Sequence, residues 1–179
     1  KILNYIVNHD HPSLFIGFIV NYPKSQRYVN LDKLNELLKI DKKKSLYVAV
    51  LVNPDYNILE EIKNLPFDYY QLYDVDPVKT KKIKLRYKVK VISAITVSNE
   101  EDVIKYKNYS EISDIILFDS KGYSKSESFD HSLLDKVPSQ LNKMIAGNIQ
   151  IDDISSFKNK DFIIDLSGAL EDENGKKDI

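Results

Sequence analysis

Short apolar segments alternate with charged, helix-like segments along almost the whole chain. The apolar segments are rich in Ile, Val, Leu, Phe and Tyr and are nearly continuous, which is typical of parallel strands buried on both faces. Their positions predict strands at 13–20, 45–52, 67–73, 88–96, 114–119, 143–147 and 161–167. The segments between them predict helices at 1–8, 31–39, 57–64, 99–107, 132–141 and 151–158.

Two details of the sequence refine the prediction of the helices. A basic run at 79–90 interleaves apolar and charged residues, and we interpret it as the solvated face of a helix that leads into a strand. Ser98 stands directly before the 99–107 segment and is a plausible N-cap, because its hydroxyl can accept from a free backbone amide.

The spacing of the strands predicts the fold class. Successive strand ends lie about 20–30 residues apart, which leaves room for one helix and two short loops. The opening helix implies a further strand before residue 1, so we predict a (β/α)8 TIM barrel whose first strand and last helix are missing from this chain. We expect residues 1–179 to form one domain. The alternative is an open doubly wound sheet, but no Gly-x-Gly-x-x-Gly motif supports it.

Composition narrows the possible functions. The chain has 179 residues, 42% hydrophobic and 30% charged, with a formal net charge of -1, which argues against a nucleic-acid partner. No apolar run is long enough for a transmembrane helix. The absence of cysteine excludes disulfides and suits a cytoplasmic protein. The three histidines, His9, His11 and His131, have no metal-ligand spacing, so we interpret them as solvated loop residues.

Two loops near the end of the chain are candidates for binding phosphate. Barrel active sites lie at the C-terminal ends of the strands, and the loops after strands seven and eight often hold a phosphate group. The sequences Ala-Gly-Asn (146–148) and Ser-Gly-Ala (167–169) occupy those positions, and small residues let backbone amides approach an anion. Residues 170–175 are expected to form a short helix, with Lys176 and Lys177 near its end. The plainer interpretation is two glycine turns.

Two further side chains are candidates for the reaction itself. Asp119 ends an apolar strand, where a partly desolvated carboxyl group can hold a proton for transfer. An aspartate that caps a loop or pairs with a lysine is an equally good interpretation. Arg27 lies in a loop and could bind a carboxylate through two hydrogen bonds. Most loop arginines are simply solvated.

Together these loops resemble the phosphoribosylanthranilate isomerase family of tryptophan biosynthesis. Segment 17–29 (GFIVNYPKSQRYV) is similar to the family's G-F-x-F-x-x-x-S-x-R-Y-V, and segment 164–178 (IDLSGALEDENGKKD) resembles its V-D-x-S-S-G-V-E-x-x-P-G-x-K-D. Shorter matches at 48–53, 70–74, 129–134 and 144–149 follow in the family's order.

The resemblance implies an Amadori rearrangement of an aminated phosphosugar, with no metal or organic cofactor. It assigns Asp119 as the general acid that protonates the furanose ring oxygen, and Arg27 as the residue that binds the anthranilate carboxylate. We expect a phosphorylated small-molecule substrate, no membrane partner, and a monomer or homodimer. The remaining substrate-binding positions that the resemblance implies are Gly147, Asn148, Asp165, Ser167, Gly168 and Ala169.

The chain also departs from the family's pattern. The family's general base is a cysteine in a K-I-C-G segment that would precede Lys1, and Tyr73 replaces the family's histidine. Residues 123–127 replace a glycine-rich stretch, Asn148 replaces a glycine, and Ser-Gly-Ala at 167–169 replaces Ser-Ser-Gly. Two alternatives therefore stay open. One is a catalytically impaired phosphate-binding barrel, with a binding or vestigial role, and the other is an isomerase of a related phosphosugar.

Overall fold

A computed structural model describes residues 1–120, 128–172 and 177. The chain divides into two compact units, residues 1–91 and 92–178. All seven predicted strands are present, each within a few residues of its expected bounds. They are β1 (Phe15–Ile19), β2 (Leu46–Val52), β3 (Tyr69–Tyr73), β4 (Lys90–Val97), β5 (Ile115–Ser120), β6 (Lys143–Ile145) and β7 (Phe162–Ile164).

Helices or helical turns follow the strands in a regular alternation. The α-helices are α1 (Ile2–Asn8), α2 (Leu31–Leu37), α3 (Tyr56–Ile62), α4 (Pro77–Tyr87) and α5 (Glu100–Ile104). α5 continues into a 3-10 turn at Lys105–Asn108. The predicted helices 132–141 and 151–158 are instead 3-10 helices at His131–Lys136 and Ile151–Phe157. Pro138 explains the early end of the first, since it cannot donate a helical hydrogen bond.

In the first unit, β1, β2 and β3 pair in parallel. β3 is buried along its whole length, and its neighbour β2 is almost as deeply buried. This continuous burial is the physical reason why the apolar runs do not alternate. The core below these strands includes Leu34, Leu51 and Leu59, all fully buried.

Helix α4 confirms the interpretation of the basic run. Asp76 is its N-cap, and the Asp76 carboxylate accepts a hydrogen bond of 2.9 Å from the Lys79 amide. Pro77 occupies the first turn, where its missing amide costs nothing. Ile83 is fully buried, whereas Leu85 and Arg86 are exposed. The predicted cap of α5 was wrong by one residue, because Asn99 and not Ser98 accepts from the amide of Asp102.

In the second unit, β4, β5, β6 and β7 also pair in parallel and in sequential order. Their core includes Ile116, Phe118, Leu134 and Ile145, each at most 1% exposed. β6 is two residues shorter than predicted, because the chain leaves the extended conformation at Gly147. The expectation of a single domain over 1–179 stays a prediction.

Asp76→Ala tests the capping of α4. The variant loses the acceptor for the Lys79 amide, and we expect the free energy of unfolding to fall by about 1 kcal/mol. Urea denaturation of parent and variant measures the change. Asp76→Asn is the matched control, because it keeps an oxygen acceptor at the cap. A loss as large in Asp76→Asn as in Asp76→Ala would contradict the capping role.

Candidate active site

The ends of β5, β6 and β7 lie in one row. Phe118 aligns with Ile145, and Ile145 aligns with Ile164. The ladder extends one step further, since the Ala146 amide donates to the Phe118 carbonyl at 2.9 Å and the Asp165 amide donates to the Ile145 carbonyl at 2.8 Å. The backbones of Asp119 and Asp165 are therefore about 10 Å apart, two strand spacings, with the 146–148 turn between them.

Asp119 and Asp165 are the two carboxyl side chains of this row, and Asp119 is the one that the resemblance assigns to proton transfer. It is half-buried and precedes Ser120, the last residue of β5. The backbone amide of Ser120 donates a 2.7 Å hydrogen bond to Oδ1 of Asp119. This bond fixes the orientation of the carboxyl group, and partial burial keeps it away from bulk water. The position fits a group that holds a proton at the C-terminal end of a strand.

The turn after β6 requires its glycine. Gly147 has φ +96°, in the region that side-chain-bearing residues rarely adopt. A Cβ atom placed on Gly147 would lie 3.0 Å from Cβ and 3.2 Å from Oγ of Ser120. Asn148 follows with φ 54°, a conformation that asparagine tolerates. The turn thus brings its backbone against the end of β5.

The turn after β7 differs from the prediction. A 3-10 turn spans Gly168–Leu170, ahead of the short helix predicted at 170–175. Lys177 Nζ donates to the Ser167 carbonyl at 2.6 Å and pairs with the Glu171 carboxylate at 3.0 Å. Lys177 therefore links Ser167 to Glu171 across this turn. Residues 173–176 and the departure at 123–127 lie outside the described residues.

Gly168 and Ala169 do not need left-handed backbone. Among the described residues, Gly147 is the glycine with positive φ, and neither Gly168 nor Ala169 has one. The exchange of the family's Ser-Ser-Gly for Ser-Gly-Ala therefore introduces no backbone strain at Ala169.

Arg27 belongs to the first unit and is exposed in the loop between β1 and α2. The loop is well defined. The Arg27 amide donates to Ser25 Oγ at 3.1 Å, and the Val29 amide donates to the Ile19 carbonyl at 2.9 Å. An ordered loop places the start of the Arg27 side chain, while its role toward a carboxylate stays a prediction.

His131 was expected to be a solvated loop residue, and that expectation is wrong. It is half-buried and packs edge-on against Phe129 and Phe157, with ring centroids 4.6 and 5.2 Å away. Burial lowers the pKa of His131, and its hydrogen bond with the Ala146 backbone opposes that shift. The ring therefore supports the residue that precedes Gly147. His9 and His11 are exposed, as predicted.

Comparison with known proteins identifies the family. The family model described as N-(5'-phosphoribosyl)anthranilate (PRA) isomerase matches residues 6–179. The chain belongs to the PRA isomerase family. It is accordingly an isomerase of tryptophan biosynthesis.

Curated relatives agree with this assignment. The N-(5'-phosphoribosyl)anthranilate isomerase of Rhizobium rhizogenes is 32% identical over 174 residues, which cover 91% of this chain and 78% of the relative. The isomerase of the same name from Brucella canis is 31% identical over 181 residues, covering 95% of this chain and 81% of the relative.

Solved structures carry the fold assignment. A phosphoribosyl anthranilate isomerase from Thermotoga maritima has a TM-score of 0.81 and 27% identity, covering 99% of this chain and 86% of that one. A PRA isomerase in complex with reduced 1-(o-carboxyphenylamino)-1-deoxyribulose 5-phosphate has a TM-score of 0.80 and 26% identity, covering 99% and 85%. The predicted (β/α)8 barrel class is confirmed for the family to which this chain belongs.

Two kinds of feature are absent from the part of the chain that the structure describes. None of its helices has the length and apolar character needed to cross a membrane. No group of three or more histidine or acidic side chains there is arranged to hold a metal ion.

The pKa of His131 predicts how stability depends on pH. In the folded protein this pKa lies below the ordinary value of 6.5, so the unfolded chain binds the proton more readily. The stabilising effect of neutral His131 is complete above 6.5 and is lost as the pH falls below it. We expect the unfolding temperature of the parent to fall from about pH 7.5 to 5.5 more steeply than that of His131→Gln.

Thermal unfolding followed by circular dichroism over this pH range measures the effect. His9→Gln is the control, because it makes the same exchange of an imidazole for an amide at an exposed position. Equal slopes in the parent and His131→Gln would show that the buried ring does not titrate differently on folding.

Proposed function

We propose that this chain converts N-(5'-phosphoribosyl)anthranilate to its 1-deoxyribulose 5-phosphate isomer, with Asp119 as the general acid. The observation that carries the proposal is the row of strand ends, in which a half-buried carboxyl group stands beside the Gly147 turn. The carboxyl group supplies the proton that opens the sugar ring, and the backbone turn supplies a binding site for the substrate phosphate.

The substrate phosphate binds the turns after β6 and β7. Gly147 and Asn148 form the first turn, and Ser167 to Ala169 form the second, on neighbouring parallel strands. Small residues leave their backbone amides accessible to an anion. The Asp165 backbone, held to β6, sets the start of the second turn. The ligand of the solved relative carries the same phosphate group.

The chemistry then consists of proton transfers and the cleavage of one carbon–oxygen bond. Asp119 donates a proton to the furanose ring oxygen, the bond from C1 to that oxygen breaks, and the anthranilate nitrogen shares the positive charge left at C1. Loss of the C2 proton gives an enol, which becomes the ketone when C1 gains a proton and the hydroxyl group on C2 loses one. No electrons leave the substrate, so the step calls for no redox cofactor. The resemblance assigns the C2 proton to the family's cysteine, which precedes residue 1 in the family's order.

Arg27 binds the anthranilate carboxylate. A guanidinium group presents a planar pair of donors that matches a carboxylate, and the ordered loop limits where that group can go.

We place the enzyme in the cytoplasm, as the absence of cysteine suggests.

Tyr73 is the residue that favours the alternative function, an isomerase of a related phosphosugar. It stands where the family has a histidine, and its hydroxyl accepts a 3.2 Å hydrogen bond from the Gln71 amide inside the first unit. Both residues are buried, so this position is filled by an internal contact. A related aminated phosphosugar is the alternative substrate, and the assays below distinguish it by the need for Arg27.

Asp119→Asn should lower kcat at least about 100-fold, because the amide cannot donate a proton to the ring oxygen. The assay follows the loss of anthranilate fluorescence on conversion of N-(5'-phosphoribosyl)anthranilate by the full-length protein. Asp114→Asn is the matched control, since Asp114 lies before the opposite end of the same strand. Turnover by Asp119→Asn close to that of the parent would refute the assignment of the acid.

Arg27→Ala should raise KM for the anthranilate substrate by at least about tenfold and change kcat little, because a charge-assisted contact is lost. Lys24→Ala, in the same exposed loop, is the control and should leave KM unchanged. The sharpest comparison uses a substrate that carries aniline in place of anthranilate. Without a carboxylate to bind, parent and Arg27→Ala should show equal KM, and a persistent difference would exclude the carboxylate contact.

A further inference from the structure

The Ser120 hydroxyl is an unusual feature of the site. Ser120 is 4% exposed, and its Oγ is shielded from solvent without a hydrogen-bond partner. A buried polar group without a partner destabilises the folded state, and most such groups in proteins are satisfied. Ser93, another buried serine of the same unit, shows the usual arrangement, because its hydroxyl lies 2.7 Å from Ser113 Oγ.

The surroundings of Ser120 separate it from the other unpartnered atoms. Among the described residues, Thr80 Oγ1 and His131 Nε2 are also buried without a partner. Thr80 lies within α4, in the first unit, and His131 makes its other contact with the Ala146 backbone. Ser120 alone of the three touches both parts of the proposed reaction site.

Ser120 connects the acid to the turn. Its backbone amide holds Oδ1 of Asp119 at 2.7 Å. Its side chain faces Gly147 so closely that its Cβ and Oγ would lie 3.0 and 3.2 Å from a Cβ atom at that position. A shift of the 146–148 turn therefore displaces Ser120, and a shift of Ser120 displaces the carboxyl group of Asp119.

We propose that Ser120 is a positioning residue whose hydroxyl gains its hydrogen bond from the 146–148 turn only when phosphate is bound there. The inference rests on the proposed function, because it takes this turn to be the phosphate site. Phosphate draws the turn's amides toward itself and reorients their backbone against Ser120. The hydroxyl then finds its partner, and the amide bond from Ser120 fixes Asp119 in the loaded enzyme.

This arrangement predicts opposite effects on the free and the loaded protein. Removing a hydroxyl that has no partner costs nothing in the free protein, so Ser120→Ala should unfold at the parent's temperature or above it. In the loaded protein the same change removes a hydrogen bond, so affinity for inorganic phosphate should fall about fivefold to tenfold. Because Asp119 is then less well fixed, kcat should fall as well.

The experiment measures phosphate affinity by calorimetry and unfolding temperature with and without phosphate. Ser93→Ala is the first control. It removes a hydroxyl that has a partner, so it should lower the unfolding temperature by about 2–4 °C and leave phosphate affinity unchanged. Thr80→Val is the second control. It removes an unpartnered hydroxyl of α4 in the first unit and should change neither phosphate affinity nor kcat.

The outcomes decide the inference independently of turnover. Weaker phosphate binding by Ser120→Ala with undiminished stability of the free protein supports it. Phosphate affinity equal to the parent's overturns it. A loss of free-protein stability like that of Ser93→Ala also overturns it, since the hydroxyl would then have a partner already. The proposed function is tested separately by Asp119→Asn, which should lose turnover and keep phosphate affinity.

Discussion

The parallel hydrogen-bond ladder of β5, β6 and β7 is the constraint on which the candidate site depends. Its last rungs, from Ala146 to Phe118 and from Asp165 to Ile145, lie at the same level of three neighbouring strands. A parallel ladder fixes the direction in which every strand leaves the sheet. The candidate acid and the two turns consequently face one edge of the sheet.

The positions of the strands could be predicted from the sequence because burial on both faces leaves a plain signal. β2, β3 and β5 are nearly continuous apolar runs, and each was placed within two residues of its observed bounds. The helical turns were harder to predict. Residues 131–136 and 151–157 have helical spacing but form 3-10 helices, since most of their side chains stay exposed and little packing favours a full α-helix.

The site could be predicted only in part. Asp119 was found because it ends an apolar strand, and the resemblance then gave it a role. The Gly147 turn was found because small residues follow β6, and its positive φ explains the glycine. The roles of Ser120 and His131 could not be predicted, because a missing partner and a packed ring depend on residues far apart in sequence. The sequence signal available was slight: a serine directly after the candidate acid.

The role that we propose for Ser120 offers a reason why local rules fail where a protein must change state. A sequence specifies a fold well when every buried polar group is satisfied in that fold. An enzyme, however, exists in at least two states, with and without its bound ligand. If the turn beside a buried hydroxyl moves between these states, the hydroxyl cannot have its best hydrogen bond in both. An unsatisfied hydroxyl between Asp119 and Gly147 is what a compromise in favour of the loaded state would leave in the free one. The cost is small beside the stability of the surrounding core, since Ile116, Leu117 and Phe118 are all fully buried on β5, the strand that carries Asp119 and Ser120.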